Sequence, residues 1–490
     1  MGNTYYIAAI ELSSSKISGA VGIETTEGMR ILATASTPVE GFISKGIVRN
    51  VDKTSEAITG IVNMLENDLS KAVQEDIVIK KAYISFAGLS MHSIKSKVAR
   101  SFGNYIKITQ DIIDGMGDEN RETFQAPNGY KRLQVETLEY KLDGNTDFNP
   151  IGAPTQHIEC NYLNIVMKEQ FYAQLRESFA QAGIEIEESL CAANFDADIL
   201  LSKDLRRNGC ALVNIGAETT TISIYGNDKP KMLTVLPLGS NNITRDLTAE
   251  RISLDKADVI KFARGYNSTA TDNDGIDNET VNNVIYARVG EILKNVRYQI
   301  EQSGERVHHI VFTGGGSKLK NLTLLLKEFM PDYSTEIKPE PQLNIVSESG
   351  VNVNVITTAL YGLLKQGKIN CCETVMPAAQ ENGEIFTQNE MEGKEEMPVI
   401  ETPAEDEELQ EEKRRKAEEE RIKKEQEEKK AKEEEEEEKR RKEEEKRRKE
   451  EKKRRQKEQR GNIFGSLFDA AKAWVNNATS EDENAKEDND

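Results

Sequence analysis

The chain has 490 residues, with 85 Asp and Glu against 65 Lys and Arg, a formal charge of −20. Single hydrophobic cores rarely grow past about 250 to 300 residues, so this length calls for two or more packed units. The charges are loaded into the last quarter, which leaves an ordinary globular composition before it, and no stretch reaches the roughly 20 apolar residues that cross a bilayer.

The opening MGNTYYI has neither a basic n-region nor a long apolar run, so a secretory signal is not expected. Residues 5–10 (YYIAAI) read as a strand, continued antiparallel by 21–23 and 30–35 through turns at 13–16 and 27–28. Over 52–69, apolar residues at Ala57, Ile58, Ile61, Val62, Leu65 and Leu69 have the three-and-four spacing of an amphipathic helix. Strand and helix resume alternating at 81–87. A second strand–turn–strand unit spans 210–225 (CALVNIGAETTTISIY), and at 309–322 (HIVFTGGGSKLKNL) a short strand meets three glycines before a helix. Helical patterns at 256–264 and 281–301 flank a polar loop at 267–278, expected to be a mobile surface excursion. The pattern is that of α/β layers.

Five cysteines (Cys160, Cys191, Cys210, Cys371, Cys372) have no CxxC pairing, and their odd number argues against a disulfide framework, so the reducing cytoplasm is the expected compartment. His308 and His309 are adjacent, and neighbouring side chains diverge, so no metal site is expected there.

Beyond Cys372 the composition changes to that of a disordered linker. From 405 to 460 nearly every residue is Glu, Lys, Arg or Gln, with Glu four residues before Lys or Arg at Glu411–Arg415, Glu435–Lys439 and Glu444–Arg448. Such pairs contribute roughly 0.2 to 0.5 kcal/mol each on a helix, and a helix polar all round survives alone only through many of them. A single helix here would span on the order of 84 Å at 1.5 Å per residue. A disordered charged chain is the alternative, and a coiled coil lacks its apolar seam.

The segment 463–475 (IFGSLFDAAKAWV) places Ile463, Phe464, Leu467, Phe468, Trp474 and Val475 on one arc of about 140°. Too short to span a bilayer, it suits the interface, and the basic run 446–460 before it would be drawn to anionic headgroups by about 1 kcal/mol per residue. Docking on the globular body or in a partner's groove is the alternative. The acidic end, 480–490, has no assigned role.

Two strand–turn–strand units about 200 residues apart, then a strand–GGG–helix unit, resemble the actin and Hsp70 ATPase arrangement, in which each turn lends backbone N–H groups to phosphate. Within it, residues 5–368 resemble the FtsA family. Glu11, Ser13, Ser14, Ser15 and Lys16 resemble its first phosphate loop. The segment 39–48 (VEGFISKGIV) resembles its G-x-x-x-G-x-I/V stretch. Asn214, Gly216, Ala217 and Thr219 lie in the match to its second phosphate loop. Gly314, Gly315, Gly316 and Lys318 match its adenosine motif, and 357–367 its closing helix.

The resemblance implies an α/β actin-like ATPase fold of two lobes around a nucleotide cleft, with an FtsA-type 1C subdomain. It divides the chain into subdomain 1A (1–82, 169–195 and closing helix 356–372), 1C (83–168), 2A (196–237 and 306–355) and 2B (238–305). A disordered linker (373–404), the charged spacer (405–460), the amphipathic helix (461–478) and an acidic disordered tail (479–490) follow.

Several positions depart from the family. Ser13 replaces a Gly, Asn214 an Asp that organises Mg²⁺ waters, Ala217 and Glu218 two glycines, and Thr221 a further Asp. Hard cations prefer carboxylate oxygens, and Glu218 adds negative charge beside the expected phosphates. The implied cofactor, ATP with Mg²⁺, is therefore expected to bind weakly and to be hydrolysed negligibly, or the turns bind no nucleotide at all. Asp258 and Lys261 resemble the purine-side pair, a solvated helix face being the alternative.

The resemblance further implies that the chain anchors filaments of FtsZ, the tubulin-like division GTPase, to the cytoplasmic face of the inner membrane at the septum. It implies capture of the FtsZ C-terminal peptide by Arg288, whose guanidinium can grip a carboxylate bidentately, where an unpartnered surface Arg is the alternative. Self-assembly into actin-like filaments and contacts to later division proteins are also implied, and no nucleic-acid partner is expected. The rival readings are an MreB-like cytoskeletal protein, a sugar or carboxylate kinase, for which Asn214 is poor material, and an Hsp70-like chaperone, whose substrate domain the spacer displaces.

Overall fold

In a computed structural model, the described residues are 5–269, 276–339, 342–347 and 350–374. The expected spacer, amphipathic helix and acidic tail lie outside them, as do all but two residues of the linker and part of the loop 267–278.

An almost continuous buried run in IAAIEL, broken only at Glu11, builds the centre of a six-stranded sheet. Its order is Glu185–Cys191, Lys81–Phe86, Ile7–Leu12, Lys16–Thr25, Gly28–Pro38 and Ile345–Ser347. Ile7–Leu12 runs antiparallel to Lys16–Thr25, from Ile7↔Gly22 to Leu12↔Ile17, and parallel to Lys81–Phe86. Helix Val51–Val73 covers one face. Asn50 caps it by accepting from the Lys53 amide at 2.9 Å, and Ile58, Ile61, Leu65 and Leu69 are fully buried, about 1.5 to 3 kcal/mol apiece. Gly19 admits that helix: a Cβ there would lie 2.8 Å from Ile61 Cγ2 and 2.9 Å from Leu65 Cδ1. Helix Thr358–Gln366 packs near Ile7 and Glu11, and its Gly362 meets Phe195 of helix Ala192–Leu200, where a Cβ would stand 2.3 Å from the ring.

A nine-stranded sheet follows in two joined parts. Cys210–Ile215, Thr220–Gly226 and Lys229–Leu236 form an antiparallel meander, extended in parallel by His309–Thr313 and Ser334–Ile337. Helix Asn278–Gln302 buries Ile285, Leu293 and Val296 in the core beside it. The other part contains the long strands His92–Lys107, Tyr130–Leu142 and Pro154–Lys168, with helix Gln110–Thr123 laid over Val98, Ile158 and Cys160. The residue pair Thr234↔His92, a bond from the Leu233 amide to Ser93 Oγ (2.9 Å) and the ion pair of Lys231 with Glu139 (3.3 Å) link the two parts.

The expected junction at 82/83 falls inside the strand Lys81–Phe86, whose buried side chains belong to one apolar core, and that at 195/196 falls inside the helix Ala192–Leu200, where Ala193 and Phe195 join the core of the six-stranded sheet and Ala197 and Leu200 a second one. All five cysteines are buried thiols. Among the described residues, no helix is long and apolar enough to cross a membrane.

Candidate functional site

The first turn lies between Ile7–Leu12 and Lys16–Thr25. Two of its amides are engaged within the turn, because Ser13 Oγ accepts from the N–H groups of Ser15 (3.4 Å) and Lys16 (3.2 Å) and donates to the Lys16 carbonyl (2.7 Å). Where the resemblance calls for a glycine, a hydroxyl thus closes the turn on itself. Ser14 Oγ accepts from the Gly46 amide at 2.7 Å, tying this turn to the hairpin formed by Ile43–Ser44 and Ile47–Val48.

The second turn, between Cys210–Ile215 and Thr220–Gly226, is closed by the Gly216 amide on the Thr219 carbonyl (2.8 Å). The Gly216 and Ala217 carbonyls accept from Ser240 and Asn241 at 2.9 and 2.7 Å, and Gly239 permits the approach, since its Cβ would sit 2.5 Å from the Ala217 oxygen. Glu218, the residue expected to repel phosphate, reaches the other lobe. One carboxylate oxygen accepts from Ser44 Oγ (2.8 Å) and the Lys45 amide (2.7 Å), and the other pairs with Arg245.

The three glycines have different tasks. Gly314 adopts φ +85°, and a Cβ there would lie 2.2 Å from Asn214 Oδ1. Gly316 packs on Ile215, where a Cβ would lie 2.4 Å from Cγ2. Gly315 has nothing within 4 Å of a Cβ, so it alone faces open space. Lys318 ends the short 3₁₀ turn Gly315–Lys318.

Beneath these turns two carboxylates converge on the start of the closing helix. Thr357 Oγ1 donates to Glu11 Oε2 at 2.5 Å, and Thr358 Oγ1 donates to Asp196. Asp196 Oδ2 also accepts from Asn214 Nδ2 at 2.8 Å. Burial pushes both carboxyls above their ordinary range, Asp196 adding repulsion at Glu11, while the threonine bonds and, at Asp196, the Asn214 bond work in the opposite direction. A helix N-terminus favours such negative charge. Asp196 is the residue that sequence reasoning missed. Its signal is a carboxylate on the apolar face of the helix, among the buried Ala192, Ala193, Phe195, Ala197 and Leu200.

Lys261 does not lie on a solvated face. It is fully buried and spends its ammonium on Asp258 Oδ1 (2.6 Å), Thr244 Oγ1 (2.8 Å) and the Ser240 carbonyl (3.4 Å), burial lowering its pKa. Asp258, half-exposed, also accepts from Thr244 Oγ1 at 3.1 Å. Nor is Arg288 unpartnered. Its fork grips Asp246 through Nε (2.5 Å) and Nη2 (3.1 Å), and Nη1 donates to Glu291 at 2.7 Å. These bonds raise its pKa further. Arg245 and Asp246 are consecutive on helix Asn241–Leu247, so this one element holds both Glu218 and Arg288. The expected lipid-facing residues lie outside the described ones. Among the described residues, no cluster of three His, Cys, Asp or Glu is placed to hold a metal ion.

A polar cavity of about 620 Å³ lies at the other end of the strands Cys210–Ile215 and Thr220–Gly226, by Gly209 and Gly226. Its carboxylates are already paired, Glu305 with Lys95 at 2.5 Å and Glu139 with Lys231 at 3.3 Å.

The profile of the family described as cell division protein FtsA matches residues 211–359, which cover the second turn, the glycines and the start of the closing helix. The cell division protein FtsA of Porphyromonas gingivalis is 26% identical over 427 residues, covering 82% of this chain and 85% of that protein. That of Neisseria meningitidis serogroup B is 24% identical over 339 residues, covering 65% and 80%. Among solved structures, the PilM–PilN type IV pilus biogenesis complex superposes with a TM-score of 0.52 at 14% identity, covering 74% of this chain and 98% of the matched one, a likeness of fold alone.

Proposed function

We propose, from the premise that this chain is an FtsA relative of the actin-like ATPase superfamily, that it is a cell-division protein anchoring FtsZ filaments to the cytoplasmic face of the inner membrane at the septum. The family match over the second lobe carries the reading, and the apolar arc at 463–475 behind a charged spacer supports it. The arc enters the lipid interface while the folded body grips the acidic C-terminal peptide of FtsZ. A single amphipathic helix holds membrane weakly, and many joined along a filament of this chain turn later binding events into local ones, which raises avidity. Polymerisation then governs attachment and the recruitment of later division proteins.

Arg288 is the proposed anchor for the peptide. Because Asp246 already occupies its fork, capture is an exchange of one carboxylate for another.

The cleft is proposed to hold an adenine nucleotide weakly, on the open face at Gly315. The phosphate turns do not fit Mg²⁺ and a terminal phosphoryl group. Ser13 takes its own turn's amides, Glu218 takes the facing donors, and Asn214 offers an amide already bonded to Asp196. A hydrolytic or kinase cycle therefore has no support in the site, and the action is mechanical.

Liposome sedimentation of the intact chain beside a version truncated after Arg460, each with and without FtsZ, tests the tether. Loss of lipid and FtsZ pelleting in the truncation alone is expected. Equal pelleting of both versions refutes it.

A further inference from the structure

A phosphoryl group in a cleft of this kind is gripped by backbone amides, hydroxyls and a guanidinium aimed at one point. Such a set exists here, and a side chain of the protein fills it. Ser44 Oγ, the Lys45 amide and Arg245 converge on the Glu218 carboxylate. The first two come from the lobe of the six-stranded sheet and the third from helix Asn241–Leu247 of the other lobe.

The donors are held rigidly. Lys45 and Gly46 adopt φ +53° and +68°. Gly46 accepts no side chain, because a Cβ would lie 2.0 Å from the Ala87 carbonyl oxygen. Its amide is fixed on Ser14 at 2.7 Å, which ties the hairpin to the first turn. Glu218 itself is about nine-tenths buried at the junction, whereas Arg245 is half-exposed. A tethered carboxylate competes with a free ligand at an effective concentration in the millimolar range.

We propose that Glu218 stands in for a terminal phosphoryl group and makes the cleft select nucleoside diphosphates over triphosphates. The carboxylate itself bridges the two lobes, so a third phosphate is not needed to join them. A triphosphate has to expel Glu218 from Ser44 and Lys45 and then bear its charge nearby. A diphosphate leaves the bridge in place. This inference rests on the nucleotide reading given above, and it replaces charge repulsion as the whole role of Glu218 with occupation of the donors.

Calorimetric titration of the full-length chain with Mg-ADP and Mg-ATP tests the selection in wild type, Glu218→Gln and Glu218→Ala. Wild type is expected to bind ADP at least as tightly as ATP, and the alanine variant to shift the ratio at least tenfold toward ATP. Ser44→Ala, which leaves the carboxylate but removes one donor, should shift it the same way by less. An unchanged ratio in all variants, or a wild type preferring ATP tenfold, overturns the role given to Glu218 and leaves nucleotide binding standing. Binding of neither nucleotide at millimolar concentration to any form overturns the nucleotide reading and the selection with it. The bridge has its own readout in hydrogen exchange of the nucleotide-free protein. Amides of 43–48 should exchange at least tenfold faster in Glu218→Gln while Ile7–Leu12 is unaltered, and equal exchange refutes the bridge.

Discussion

Replacing each of two adjacent glycines by alanine separates the part of the GGG turn that holds the fold from the part that faces open space. Gly314 sits at φ +85°, ψ 173°, a region essentially reserved to glycine that costs other residues about 1 to 3 kcal/mol. Its new methyl would lie 2.2 Å from Asn214 Oδ1 and 2.7 Å from the Ile215 oxygen, and overpacking of this kind costs about 1 to 3 kcal/mol more. Gly314→Ala should therefore destabilise by about 2 to 6 kcal/mol, a large share of the roughly 5 to 15 kcal/mol typical of a domain. Gly315 has an empty surrounding and no positive φ, so Gly315→Ala should be neutral or gain about 0.4 to 1 kcal/mol through the unfolded chain. Urea unfolding followed by far-ultraviolet circular dichroism measures both. With a slope of about 3 kcal/mol/M, a 3 kcal/mol loss lowers the midpoint by about 1 M. Midpoints that coincide for the two variants, or a Gly315→Ala loss as large as that of Gly314→Ala, would refute the division of tasks.

Other perturbations follow from the occupied side chains. Asp246→Asn keeps the shape of the partner but removes its charge from Arg288, so it should tighten binding of the FtsZ peptide several-fold in fluorescence anisotropy, while Arg288→Glu abolishes it. Unchanged or weaker binding by Asp246→Asn would reject Arg288 as the anchor. Burial raises the Glu11 carboxyl, so the folded state binds its proton more tightly than the unfolded chain does. Stability then falls as pH rises from the unfolded pKa through the raised one. Glu11→Gln removes that dependence, and its thermal midpoint relative to wild type should increase between pH 5 and pH 8. A difference that stays flat or shrinks would deny the buried charge at Glu11.

Elements carried by local pattern were legible in the amino-acid order. The three-and-four spacing from Ala57 to Leu69 became helix Val51–Val73, and the turns at 13–16, 216–219 and 314–316 lie between the elements expected to flank them. The strands of 92–168 were not, because they are long, two of the three are largely exposed or half-buried, and they owe their order to partners. His92–Lys107 carries charge at Lys95, Lys97 and Arg100 and pairs with Pro154–Lys168, from Pro154↔Lys107 to Val166↔His92, far along the chain. Asp196 was missed for a related reason, since its partners, Asn214 and Thr358, lie 18 and 162 residues away.

Glu218 teaches the most about reading such sites. From residue types alone, a carboxylate replacing a glycine beside an expected phosphate means repulsion and lost affinity. Its partners, 173 and 174 residues away in the chain, change the inference, because a buried charge persists only where donors meet it. Those donors are of the kind a phosphate would need, so in the proposed role Glu218 takes the place of a ligand's anion and joins the lobes. Departures from a phosphate-binding pattern therefore divide into those that empty the site and those that fill it. Asn214 belongs with the first in its loss of charge, although Asp196 returns a carboxylate to its side. Ser13 and Glu218 belong with the second, each satisfying an amide of a turn or hairpin beside the expected phosphates.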